Sequence, residues 1–137
     1  MKFSFFIPME HVPTVTDQEH KIAVINGKPQ IYKPPELKDA KAMFLNVLAP
    51  HAPATPLRGA VEFVVKWCFP LQGHRDGDWK TTKPDTDNLQ KLLKDCMTKT
   101  KYWTDDAQVA SELSQKFHSK ITGIWIMVRE LEAIDEE

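Results

Sequence analysis

Only two cysteines occur in 137 residues, and Cys68 and Cys96 lack any C-x-x-C spacing, so both are expected to be reduced thiols. Long apolar runs are missing as well. The longest uncharged stretch, residues 42–57, contains three prolines, Asn46 and His51, which excludes a bilayer-spanning helix and leaves no membrane partner to expect. The apolar segment 3–7 is short and ends at Pro8, Met9 and Glu10, unlike a signal peptide, and the cytoplasm is the expected compartment. The histidines at 11, 20, 51, 74 and 118 show no paired ligand spacing and are assigned to surface or core. Net charge is also small, at −1, so the total announces no nucleic-acid partner. What is present is the composition of one soluble globular domain, 42% hydrophobic and 27% charged, spanning residues 1–137. By region the charge is uneven: +1 over residues 1–65, +3 over 66–101 and −5 over 102–137.

Periodicity divides the chain into elements. Residues 2–8 are aromatic and β-prone and end at a proline, which reads as a first strand. Segments 21–25 and 30–33 flank Asn26-Gly27, the dipeptide suited to a tight hairpin turn. After Pro34-Pro35, the spacing of Leu37, Ala40, Phe44, Val47 and Leu48 predicts a helix over 36–48. Prolines at 50, 53 and 56 break it. Residues 59–70 then alternate, with Val61, Phe63, Val65, Trp67 and Phe69 on one face, predicting a long central strand. The hydrophilic segment 71–84 reads as a functional loop. Leu89, Leu92, Leu93, Cys96 and Met97 predict an amphipathic helix over 87–99. The tail fits both a helix and a strand period over 108–117. Two antiparallel strands, 108–117 and 121–131, are expected because Ile121, Ile124, Trp125, Ile126 and Val128 favour β structure and Gly123 interrupts a helix. The expected fold is α+β and two-layered, with a mixed or antiparallel sheet of about four to six strands and two main helices.

Four carboxylates bracket the second helix: Asp85 and Asp87 before it, Asp105 and Asp106 after it. At 100° per residue, Asp87, Lys91, Lys94 and Asp95 fall within about 100° of one another, opposite the leucines. Each residue has an ordinary structural role available. An Asp at a helix start is usually a cap worth about 1 kcal/mol, and an Asp and Lys one turn apart are usually a surface ion pair of about 0.3–0.5 kcal/mol. Convergence of the two acidic stretches would be another matter. Bare carboxylates about 4 Å apart repel by roughly 1–4 kcal/mol, so a cluster of them needs a cation. Oxygen-only ligands select Mg²⁺ or Mn²⁺. Such an ion activates water and shields phosphate charge, a lysine can add to that neutralisation, and the expected reaction is phosphodiester hydrolysis. An EF-hand is excluded, since Leu89 and Gln90 occupy positions that need an oxygen ligand and a glycine. A D-x-D glycosyltransferase would rest on three residues in a chain too short for a nucleotide-sugar domain and an acceptor site.

The run from Lys83 to Val109, KPDTDNLQKLLKDCMTKTKYWTDDAQV, resembles the signature of the RusA family of Holliday junction resolvases, common in phages and prophages. It carries P-D-x-D-N, a lysine four positions after the second aspartate, a K-x-x-x-D helix and W-x-D-D-x-Q-V. The resemblance implies Asp85, Asp87 and Asp106 as metal-binding carboxylates and Lys91 as catalytic lysine. Asn88, Asp95 and Asp105 match as supporting positions, with Asp105 a reserve ligand. It further implies a homodimer that binds four-way DNA junctions and makes paired, symmetric nicks with Mg²⁺ or Mn²⁺. Two symmetry-related cuts from a chain with one site themselves require a two-fold pair. The stretch 10–20 lacks the dense basic residues of many relatives. Phosphate contacts are therefore expected from Lys66, Arg75, Lys80, Lys83, Lys94, Lys99 and Lys101. Two alternatives are a broader nuclease that also cuts flaps and forks, and a module that binds branched DNA without cutting.

Overall fold

The computed structural model describes residues 1–14, 21–25, 28–32 and 35–132, and the side chains of residues 1–14 and 38–132. Eight elements follow in chain order: β1 (Lys2–Pro8), β2 (Lys21–Ile25), β3 (Lys28–Tyr32), α1 (Pro35–Leu48), β4 (Val61–Phe69), α2 (Thr86–Lys99), β5 (Val109–His118) and β6 (Gly123–Glu130). Alternation decides the centre. Val61, Phe63, Val65 and Trp67 are fully buried on one face of β4, while Glu62, Val64, Lys66 and Cys68 occupy the other. The four-stranded sheet runs β1-β6-β4-β5, so β4 is interior. β1 and β4 both pair antiparallel with β6, and Ile124, Ile126 and Val128 extend the buried face across it. β2 and β3 form a separate antiparallel pair; their Asn26-Gly27 connection lies outside the described residues.

The mixed sheet and two helices match the expected α+β architecture. The tail differs in one respect. β5 and β6 do run in opposite directions, but they are not neighbours. β4 lies between them, parallel to β5. A parallel pair needs a crossover, and the segment between β4 and β5 supplies it with α2. The helix seats Leu89, Leu92, Leu93 and Met97 on the sheet, each fully buried and each worth about 1.5–3 kcal/mol of apolar transfer. Ala40, Phe44 and Leu48 of α1 join the same core. The buried Tyr102 hydroxyl donates to the Leu48 carbonyl at 2.6 Å, fastening the segment after α2 to the end of α1. Both cysteines are free thiols.

β5 is one of the two edge strands of this sheet and its composition sets up a cleft. Its register aligns Glu112, Ser114, Lys116 and His118 with Phe63, Val65, Trp67 and Phe69, so these polar residues lie on the helix-bearing face. Leu113 and Phe117 lie on the opposite face. The apolar core thus stops at β4, and a polar margin separates β5 from α2.

Candidate active-site cleft

Glu112, Ser114 and Lys116 of that margin each have a hydrogen-bond partner. Ser114 Oγ accepts from the Trp67 indole at 3.0 Å. Glu112 accepts from Gln90 Nε2 at 3.2 Å and pairs with Lys94 at 3.1 Å. Lys116 Nζ donates to the carbonyls of Thr82 and Pro84 at 2.6 and 2.7 Å, holding the chain just ahead of Asp85. Burial pushes the Lys116 ammonium pKa down, nearby Lys80 adds to the effect, and Asp85 opposes it. Between the two elements runs a cleft of about 400 Å³, lined by Asp87, Gln90, Lys91, Lys94, Asp95 and Asp106 together with Glu112 and Ser114.

At the start of α2 the ordinary uses of an acidic helix entry are not taken up. Asp85 occupies the N-cap position with extended backbone, yet its side chain makes no capping hydrogen bond. Among the described residues, Asp87 Oδ1 accepts only from the adjacent Asn88 N–H, at 3.0 Å. Lys91, exposed on the next turn, makes no ion pair with any described residue. Asp87 and Lys91 therefore face the cleft uncommitted.

At the other end the chain is tightly braced. Asp105 Oδ1 accepts from the Ala107 N–H at 2.8 Å, capping a short 3₁₀ turn, Asp106–Gln108. This assigns Asp105 a structural task. Gln108 Oε1 accepts from the N–H and hydroxyl of Thr104 and the N–H of Asp105, while its Nε2 donates to the carbonyls of Leu57 and Gly59. Asp106 itself accepts through Oδ1 from the Thr98 hydroxyl, and Thr98 Oγ1 accepts from the buried Trp103 indole at 2.6 Å. Asp106 borders both the main cleft and a smaller one of about 360 Å³ lined by Asp95, Thr98, Lys99, Thr104 and Asp105.

Every donor in this set is a carboxylate or hydroxyl oxygen, which fits a hard divalent ion by chemistry. Their positions within one chain are more spread. Thr98, which anchors Asp106, lies eleven residues beyond Asp87, about 16 Å along the axis of α2 at 1.5 Å per residue. Asp85 is not among the residues lining the shared cleft. Among the described residues no three His, Cys, Asp or Glu side chains stand close enough to clasp one ion.

A family model described as Endodeoxyribonuclease RusA matches residues 11–129, most of the chain. The protein is a member of the RusA family. A relative from Lactococcus phage r1t, named crossover junction endodeoxyribonuclease rusA, is 32% identical over 96% of this chain and 100% of its own length. A second, the uncharacterized protein YqaN of Bacillus subtilis strain 168, is 31% identical over 81% of this chain and 86% of its own. In this RusA-family chain the W-x-D-D-x-Q-V motif reads physically: the tryptophan and glutamine brace the turn that carries Asp106.

The seven basic candidates do not share one surface. Lys94 is held by Glu112 in the cleft, and Lys99 borders the smaller cleft. Lys66 projects from the opposite face of the sheet, its ammonium 5.1 Å from the Trp125 ring centre. Lys80 donates to Thr82 Oγ1 and lies over the Phe69 ring, while Arg75, Lys83 and Lys101 are exposed on loops. Sequence reasoning missed Glu112, Ser114 and Lys116. The signal was there, since they form the alternate stripe of β5, but an apolar stripe is normally taken as the inward one.

Proposed function

We propose that this chain is a divalent-metal-dependent endodeoxyribonuclease that resolves four-way DNA junctions by paired symmetric nicks. It would act in recombination and repair as a phage- or prophage-encoded homodimer in the cytoplasm of the host cell. Family membership supports the reaction class, and the relative from the Lactococcus phage, matched over its full length, supports the junction substrate. The observation that carries the reading is the uncommitted chemistry at the entry of α2: a cap position without a capping hydrogen bond and a lysine without an ion pair among the described residues.

Asp85, Asp87 and Asp106 are the residues to hold Mg²⁺ or Mn²⁺, through oxygens alone. The bound ion supplies a water acidified for attack and positive charge against the phosphate. Lys91, one turn from Asp87, places its ammonium where charge builds on the phosphate oxygens. Lys66, Arg75, Lys80, Lys83, Lys94, Lys99 and Lys101 contribute phosphate contacts that position the arms without reading bases. The separation of Asp87 from Asp106 along α2 favours a site completed in the dimer, with Asp106 of one copy meeting the acidic helix entry of the other.

Matched four-way junction, flap and duplex substrates, each with Mg²⁺ and with EDTA, test the proposal. Paired nicks in the junction with Mg²⁺ alone are expected. Equal cutting of flaps would replace the resolvase with a broader nuclease, and junction retention without nicking under either condition would leave a binding module.

A further inference from the structure

We infer that Thr98, oriented by Trp103, is a positioning residue that sets the affinity of Asp106 for the divalent ion; the inference rests on the reading of Asp106 as a ligand. A threonine near the end of a helix normally turns its hydroxyl back to a carbonyl one turn earlier. Thr100 does this, donating to the carbonyls of Cys96 and Met97 at 2.9 and 3.3 Å. Thr98 reaches across to Asp106 Oδ1 instead.

The tryptophan explains the difference. An indole N–H can only donate, so at 2.6 Å from Thr98 Oγ1 it occupies a lone pair of that oxygen and leaves the hydroxyl proton to be given elsewhere. The indole cannot swing away. Trp103 is fully buried, packs edge-on against Phe63 at 5.9 Å between ring centres, and pairs through its backbone with Leu57. The relay therefore runs from the rigid core through one hydroxyl to one carboxylate oxygen. Asp106 Oδ2 has no hydrogen-bond partner among the described residues. Fixing Oδ1 in this way limits rotation of the carboxyl group and spares the ion the entropy of ordering it. Outer hydrogen-bond partners of ligating carboxylates typically change metal affinity about 10–100-fold when removed.

The test is Mn²⁺ binding to the full-length protein without DNA, by titration calorimetry and by the spin resonance of free Mn²⁺, for wild type, Thr98→Val, Thr98→Ser, Trp103→Phe and Asp106→Asn. Thr98→Val, which keeps shape and removes the hydroxyl, should weaken Mn²⁺ binding about 10–100-fold. Thr98→Ser should restore it to within about 3-fold, a small part of the range such partners span. Trp103→Phe should weaken it in the same direction, and it decides the matter should Thr98→Val fail to fold. Wild-type affinity in Thr98→Val, or equal loss in the valine and serine variants, overturns the inference. Unchanged binding in Asp106→Asn instead overturns the assignment of Asp106, so the two failures are told apart.

Discussion

Asp87 and Lys91 stand one turn apart on α2 and do not pair, although that spacing usually yields an ion pair. Leaving both free forgoes only about 0.3–0.5 kcal/mol, and it keeps a carboxylate and an ammonium available to other charges. Asp87→Asn and Lys91→Ala should each lower Mg²⁺-dependent junction cleavage by at least about 100-fold, the scale of removing one electrostatic group from such a site. Junction binding, measured by gel shift in EDTA, should stay within a few-fold; wild-type cutting by both variants would remove these residues from the site. Asp87→Asn should also melt in EDTA no lower than wild type, because Asp87 makes no ion pair with a described residue and asparagine keeps an oxygen to accept from the Asn88 N–H.

At the scale of elements, the cleft exists because two faces of unlike character meet. α2 buries its leucines against β4, and β5 continues the sheet with a polar inner stripe, so core gives way to cleft within one strand spacing. Two contacts hold this arrangement. Gly123 opens β6 with φ of +151°, and a Cβ there would come within 2.2 Å of the Ile7 carbonyl and 2.7 Å of the Phe6 ring. Gly123→Ala should therefore displace β1 and cost about 1–3 kcal/mol, read as a lower denaturant midpoint with unchanged slope. Tyr102 is the second contact. Burial holds its phenol well above the ordinary value near 10, so unfolding releases a proton once the solvent passes that value. Its contribution is complete below pH 10 and is lost as pH rises toward the folded pKa. Tyr102→Phe should destabilise by about 1–3 kcal/mol at neutral pH by orphaning the Leu48 carbonyl. That deficit should narrow between about pH 9 and about pH 11, and a deficit independent of pH would contradict it.

For the whole molecule, a dimer would decide whether the acidic stretches can work together. Light scattering should give twice 15.7 kDa at working concentration. Mixing inactive Asp87→Asn with inactive Asp106→Asn separates a shared site from a self-contained one. If each site draws on both copies, a mixed dimer keeps one site intact, and random exchange makes about half of all dimers mixed. Nicking should then return. No recovery after confirmed subunit exchange would assign all ligands to one chain. Lys66 and Lys94 lie on opposite faces of the sheet, so the seven basic candidates form no one stripe among the described residues.

What the sequence by itself determined was whatever depends on neighbours along the chain. The alternation of β4 and the 3.6-residue stripe of α2 mark their buried sides because burial of apolar area is additive and local in pattern. The acidic pairs at the two ends of α2 were legible for the same reason, as residue types at fixed spacing. Only the tertiary structure decided which strand lies beside β4, since pairing is chosen by shape and burial over long range and not by any short motif. It alone turned the polar stripe of β5 inward to meet Gln90 and Lys94. It alone tied Asp106 through Thr98 to Trp103, because a hydrogen bond across a turn depends on the direction of an N–H and a hydroxyl in space.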